Sequence, residues 1–270
     1  MPAPYTLQTV LAQRPLGLVF DIDGTLSPIA PTSASARLYP GVASLLERAR
    51  EHAHVAIMTG RAIIDGAAMV KVEGLTYIGT HGLEWSDGLP SSHPVEVVPE
   101  ALASIEPGKY LLDLVEQQLP NLPGIAVQRK RFGGSIHYRL ATDPQLTRQR
   151  ILAILEQPAR EVNMQLSEGK RIVEIRVPIA VDKGQALRRF TRRFDLRGVV
   201  FAGDDRTDLD AIREIVRLRS DDLSDPPGLP ALSIVVQHPD TLPELLAHAD
   251  IVVQEVEGMV ALLQEMVSML

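Results

Sequence analysis

Short apolar runs, each followed by a longer stretch of helical periodicity, constrain this chain more than any other feature. Such alternation marks βαβ units winding around a parallel sheet. Leu16 to Phe20 reads as a first strand, His54 to Met58 as a second, and the run near Leu75 to Ile78 as a third. Strands recur at Gly198–Gly203, Ala231–Val236 and Asp250–Val253. Between the first two, Pro40 opens a helix with Val42, Leu45, Leu46 and Ala49 on one face. A final amphipathic helix starts near Val256, with Met259, Met266 and Met269 as core filler. The expected fold class is α/β, a Rossmann-like doubly wound parallel sheet.

The middle of the chain breaks this rhythm. A helical stretch from Gly108 to Leu119 precedes the strand-like pair "GIAVQRK" and "GGSIHYRLA". The helical "PQLTRQRILAILEQ" then precedes a second pair, "VNMQLSEG" and "KRIVEIRVP". An α-β-β-α-β-β order has no place in a parallel sheet, so it predicts an inserted α+β domain with an antiparallel sheet. The expected division is 1–106 with 179–270 as the core and 107–178 as the insert, hinged near Glu106–Pro107 and Pro178. The breaker-rich segment Ser220 to Pro230 predicts an exposed loop.

Composition narrows the function. Apolar residues make up 45% and charged residues 23% of the 270 positions, which suits a folded globular protein. A net charge of -7 argues against a general affinity for nucleic acid or for anionic membrane, because both need a positive footprint. With no cysteine there is no thiolate metal site or cysteine nucleophile. No basic, apolar leader opens the chain and no apolar stretch is long enough to span a bilayer, so a cytoplasmic location is expected.

Reactive groups gather where ligands of open parallel sheets bind, at the carboxyl ends of strands. Asp21 and Asp23 follow the first strand; Thr59, Gly60 and Arg61 follow the second; Asp204, Asp205 and Asp208 follow "VVFAG"; Lys183 opens the helix after the insert. Adjacent carboxylates repel, and burying them is costly unless they are paired or metal-bound. An oxygen-rich pocket with a hydroxyl and a lysine suits Mg²⁺ and a phosphoryl group. Aspartate is ionised at neutral pH, its reference pKa being about 3.9, so it can attack phosphorus without a separate base.

In this order "DIDGT", "MTGR", "DKG" and "GDDRTD" resemble the four motifs of the haloacid dehalogenase superfamily of aspartate-nucleophile phosphohydrolases. The resemblance implies Asp21 as nucleophile and Asp23 as acid and base. It also implies Thr59 and Lys183 as phosphoryl-binding groups. Mg²⁺ would sit on Asp21, the Asp23 main-chain carbonyl and Asp204, supported by Asp205 or Asp208.

Within that superfamily, "DIDGTLSPI", "GTHGLE", "HYR", "GKRIVEIRVP" and "GDDRTDLDA" are similar to trehalose-6-phosphate phosphatases over most of the chain. The similarity implies a cap domain that grips a phosphorylated disaccharide. Sugar-binding positions would be Gln128, Lys130, His137, Arg139, Lys170 and Glu174 on the cap, with Gly60, Arg61, Gly79, His81, Gly82 and Glu84 on the core. Gln128 stands where that family's glutamate is expected, Thr80 for an asparagine and Leu209 for a glutamate. Another glycosyl phosphate, of the sucrose-phosphate or mannosylglycerate type, therefore stays open as the substrate, as does a non-catalytic sugar-phosphate sensor.

Other features read as structural. His52, His54, His93, His238 and His248 have no companion motif and receive no role. Arg188, Arg189, Arg192 and Arg193 form a basic helix face, read here as solvated rather than as a nucleic-acid contact.

Overall fold

Strand β1 (Leu16–Phe20) is buried along its whole length, as a central strand covered on both faces must be. The computed structural model describes residues 5–119, 123–169, 171–220 and 228–270. Along the chain, β1 is followed by β2 (His54–Met58), β3 (Thr76–Gly79), β4 (Glu84–Ser86) and β5 (Glu96–Val97). Next come β6 (Ala126–Lys130), β7 (Gly133–His137), β8 (Gln165–Gly169) and β9 (Ile172–Arg176), then β10 (Gly198–Gly203), β11 (Ala231–Gln237) and β12 (Ile251–Gln254). The helices are α1 (Leu7–Leu11), α2 (Val42–Ala49), α3 (Ile63–Val70), α4 (Ile105–Gln118), α5 (Pro144–Glu161), α6 (Lys183–Arg193), α7 (Asp208–Ser220), α8 (Pro243–His248) and α9 (Glu255–Met269).

Two compact units result, Met1–Glu96 with Val181–Leu270, and Val97–Ala180. The second begins earlier than the Glu106–Pro107 hinge expected from sequence. Pro107 lies in the first turn of α4, where a missing N–H costs no helical hydrogen bond.

In the first unit the sheet runs β12-β11-β10-β1-β2-β3-β4-β5, parallel from β12 to β3. Alternate residues face opposite layers. Leu18, Phe20, Val55, Ile57, Val200 and Leu232 pack with α2, α3 and α9, whereas Val19, Ala56, Met58, Val199 and Phe201 pack with α6 and α7. Each of these buried side chains larger than alanine contributes roughly 1.5–3 kcal/mol. The sheet departs from an all-parallel reading at β4, which pairs antiparallel with β3 after the short turn at Thr80–Gly82. "EWS" is too short and too charged to read as a strand. Met259 and Met266 are fully buried as expected, but Met269 is exposed at the chain end.

The basic face of α6 is largely occupied. Arg188 pairs with Glu214, while Arg189 and Arg193 pair with Glu96 and Asp87 and lie 4.7 and 5.4 Å over the Trp85 ring.

In the second unit a four-stranded antiparallel sheet, β6-β7-β9-β8, packs one face on α4 and α5 through Ile136, Val173, Ile175, Leu112, Ile151 and Leu155. Residues 221–227 of the expected exposed loop lie outside the described residues.

Candidate active site

The chain leaves β1 through a tight turn in which Thr25, Leu26 and Ser27 all donate their N–H to the Ile22 carbonyl. Gly24 lies within it at φ +84°, and a Cβ there would fall 2.0 Å from Asp204 Oδ2. Only glycine lets the turn close on that carboxylate. Thr25 Oγ1 donates to Asp204 Oδ1 at 3.1 Å.

Lys183, the first residue of α6, is 2% exposed. Its Nζ donates to Asp21 Oδ1 at 2.7 Å and to Asp208 Oδ1 at 2.6 Å. Asp208 opens α7, and its Oδ2 accepts the backbone N–H groups of Asp204 and Asp205 at 3.0 and 2.9 Å. Asp208 therefore belongs to the buried cluster, whereas Asp205 lies exposed beside it.

Carboxylate oxygens of Asp21, Asp204 and Asp208 lie within 4.8 Å of one another, the only such group of metal-ligating side chains among the described residues. Burial pushes Asp21 up to about 8; Lys183 opposes the rise, while Asp208 and Asp23 add to it. Burial also raises Asp204 well above its usual range, helped by Asp21 and Asp208. Burial alone would lower Lys183, yet Asp208 and Asp21 hold it protonated above its ordinary range. Ionised together, three hard carboxylates against one cation would leave a surplus of negative charge that fits a Mg²⁺-sized ion.

Arg61 follows β2 and forks onto Asp23, Nε to Oδ2 at 2.6 Å and Nη2 to Oδ1 at 2.5 Å. Thr59, 3% exposed, accepts the Arg61 N–H on its hydroxyl at 3.1 Å and keeps a proton to donate. The Thr80–Gly82 turn is strapped to this loop, Thr80 N–H to the Arg61 carbonyl and His81 N–H to the Thr59 carbonyl. A Cβ on Gly60 would meet the His81 ring at 2.5 Å, so ring and loop are in close contact. Glu84 is 4% exposed, and its Oε2 accepts from the Ile63 N–H at the start of α3 and from the Thr80 hydroxyl.

Within the second unit, Gln128, Ser135 and Glu174 are cross-strand neighbours on β6, β7 and β9. Glu174 Oε1 accepts from Lys130 Nζ at 3.2 Å and from Ser135 Oγ at 3.1 Å, and His137 Nε2 lies 3.3 Å from Gln128 Oε1. These side chains share the sheet face opposite α4 and α5. Arg139 lies exposed in the turn after β7. Lys170 lies outside the described residues.

A doubly wound sheet that places two aspartates after its central strand, with a threonine, a lysine and further aspartates at neighbouring strand ends, defines a haloacid dehalogenase-type core. The chain belongs to the trehalose-phosphatase family, whose profile matches residues 19–230. Trehalose-phosphate phosphatase from Mycobacterium leprae (strain TN) is 31% identical over 252 residues, 87% of this chain and 55% of that protein. The chain thus spans about half the length of the curated trehalose-phosphate phosphatases it matches. Among solved structures, the C. albicans trehalose-6-phosphate phosphatase C-terminal domain has a TM-score of 0.78 at 18% identity, covering 100% of this chain and 99% of that one. A trehalose-6-phosphate phosphatase related protein has a TM-score of 0.75 at 23% identity, covering 93% and 97%. At such identities the likeness is one of fold. No helix among the described residues is long and apolar enough to cross a membrane.

Proposed function

We propose that this chain is a Mg²⁺-dependent phosphatase that hydrolyses trehalose 6-phosphate to trehalose and inorganic phosphate. The observation that carries this reading is the buried contact of Lys183 with Asp21 and Asp208 beside Asp204. Asp21 and Asp204, with the Asp23 main-chain carbonyl, would hold the ion, and Asp208 would brace them. When bound, Mg²⁺ neutralises the acid cluster and the charge on the phosphoryl oxygens.

Chemistry on the chain's own groups then has two halves. An ionised Asp21 oxygen bonds to phosphorus as the bond from phosphorus to the sugar oxygen breaks, and the Asp23 carboxyl gives its proton to that oxygen. Asp23 next takes a proton from water as the water oxygen bonds to phosphorus and the bond to Asp21 breaks, releasing phosphate. Thr59 and Lys183 steady the phosphoryl oxygens as charge shifts. The Arg61 fork fixes the direction of Asp23, and delivery of a proton requires one of its oxygens to leave that fork. On the cap, Gln128, Lys130, His137 and Glu174 supply donors and acceptors suited to sugar hydroxyls, with Arg139 and Lys170 as further candidates.

Gln128 beside His137 favours a second reading, a phosphatase for another glycosyl phosphate, since an amide replaces a charged acceptor. Phosphate release from trehalose, sucrose, glucosylglycerate and glucose phosphates, with and without Mg²⁺, separates the two. Preference for trehalose 6-phosphate, abolished in Asp21→Asn, is expected; preference for another sugar would move the substrate, and release from none would favour a sensor.

A further inference from the structure

His238 follows β11 at the carboxyl edge of the sheet, the edge at which β1 delivers Asp21 and β10 delivers Asp204. The residue is 8% exposed and both ring nitrogens are engaged. Nε2 lies 2.7 Å from the Gly24 carbonyl oxygen, and Nδ1 lies 2.7 Å from Glu255 Oε2. A carbonyl only accepts, so Nε2 carries hydrogen and donates. The same nitrogen is 3.8 Å from Asp204 Oδ2. The His238 N–H donates to Thr241 Oγ1 at 2.7 Å, which anchors the loop below the ring.

One imidazole therefore reaches the Gly24 turn and the flank of Asp204 together. Thr25 holds the other Asp204 oxygen, and the bare Cα of Gly24 faces that carboxylate. Glu255 starts α9 at φ +53°, a conformation rarely adopted by a side chain with a Cβ, and its carboxylate braces the ring from behind. Both His238 and Glu255 lie outside residues 19–230, the stretch that carries the family match.

We infer that His238, braced by Glu255, is a positioning residue for the cation-binding end of the site. It holds the Gly24 peptide in the one orientation that keeps the Asp21–Thr25 turn closed on Asp204. The inference rests on Asp21 and Asp204 as the cation ligands. Groups that orient metal ligands from behind are worth about 10- to 100-fold in metal affinity.

The test is Mg²⁺ binding by titration calorimetry, without substrate, to the wild-type chain and to His238→Leu, His238→Gln and Glu255→Ala, with kcat and KM measured alongside. His238→Leu should raise the Mg²⁺ Kd about 10- to 100-fold while substrate KM at saturating Mg²⁺ stays within about twofold. His238→Gln, which keeps a donor near the Nε2 position, should recover most of that loss. A folded leucine variant with an unchanged Kd overturns the inference; if that variant does not fold, Glu255→Ala carries the test, and an unchanged Kd there overturns it. Should the wild-type chain bind no Mg²⁺, this inference and the cation reading fall together. Mg²⁺ binding that depends on His238, in a protein that releases phosphate from no sugar phosphate, upholds the inference while the phosphatase reading fails.

Discussion

Lys183 Nζ is shared between Asp21 Oδ1 at 2.7 Å and Asp208 Oδ1 at 2.6 Å, with all three side chains at most 7% exposed. Removing one partner of a buried charge cluster leaves the others uncompensated, at a cost of about 3–5 kcal/mol. Lys183→Met should therefore lower stability by that order in chelator, measured by urea denaturation, and Mg²⁺ should restore part of the loss. A variant as stable as wild type in chelator would mean that the cluster does not depend on the lysine for its stability.

The metal-free protein should be less stable at alkaline pH. Asp21 is pushed up to about 8 by burial, and Asp204 rises for the same reason. Between the unfolded value of about 4 and the folded value, the native state keeps a proton that the unfolded chain has lost, so stability falls by about 1.4 kcal/mol per pH unit for each such group. Stability from this source is complete below about pH 4 and is lost as pH rises through the folded value. Mg²⁺ expels these protons, so its effect on the thermal midpoint should be larger near pH 8 than near pH 6. Equal increments at both pH values would contradict the burial argument.

Arg61 and Asp23 form a two-point fork that lysine cannot reproduce. Arg61→Lys should lower kcat about 100-fold, the scale set by misplacing a catalytic group by about an ångström. An unchanged kcat with raised KM would instead make Arg61 a substrate contact alone.

On the second unit's sheet, Glu174→Gln removes the acceptor charge that Lys130 and Ser135 share. If this face reads sugar hydroxyls, KM should rise about tenfold with kcat little changed, the mark of lost uniform binding. A fall in kcat with KM unaltered would remove Glu174 from substrate recognition.

The motif residues were legible because each follows an apolar run: Asp21 after β1, Thr59 after β2, Asp204 after β10. Applied to β11, the same rule points at His238, but a histidine without a motif carried no signal, and its partners Gly24 and Glu255 are distant in sequence. The upward push that burial gives Asp21 in the metal-free chain is not legible in its reference value, since burial is a property of packing rather than of the residue type. Strand β4 escaped notice because three residues show no period. Which of Asp205 and Asp208 joins the cluster was settled by α7, whose first residue faces inward.

The second unit's sheet divides its labour by parity. Odd and even positions along β6, β7 and β9 answer to different selections: one set must fill the space against α4 and α5, the other carries Gln128, Lys130, Ser135, His137 and Glu174. Gln128 can therefore differ from a relative's residue without disturbing Ile136 or Val173 on the far side. Such a sheet can change its polar face one residue at a time while its folding problem stays already solved.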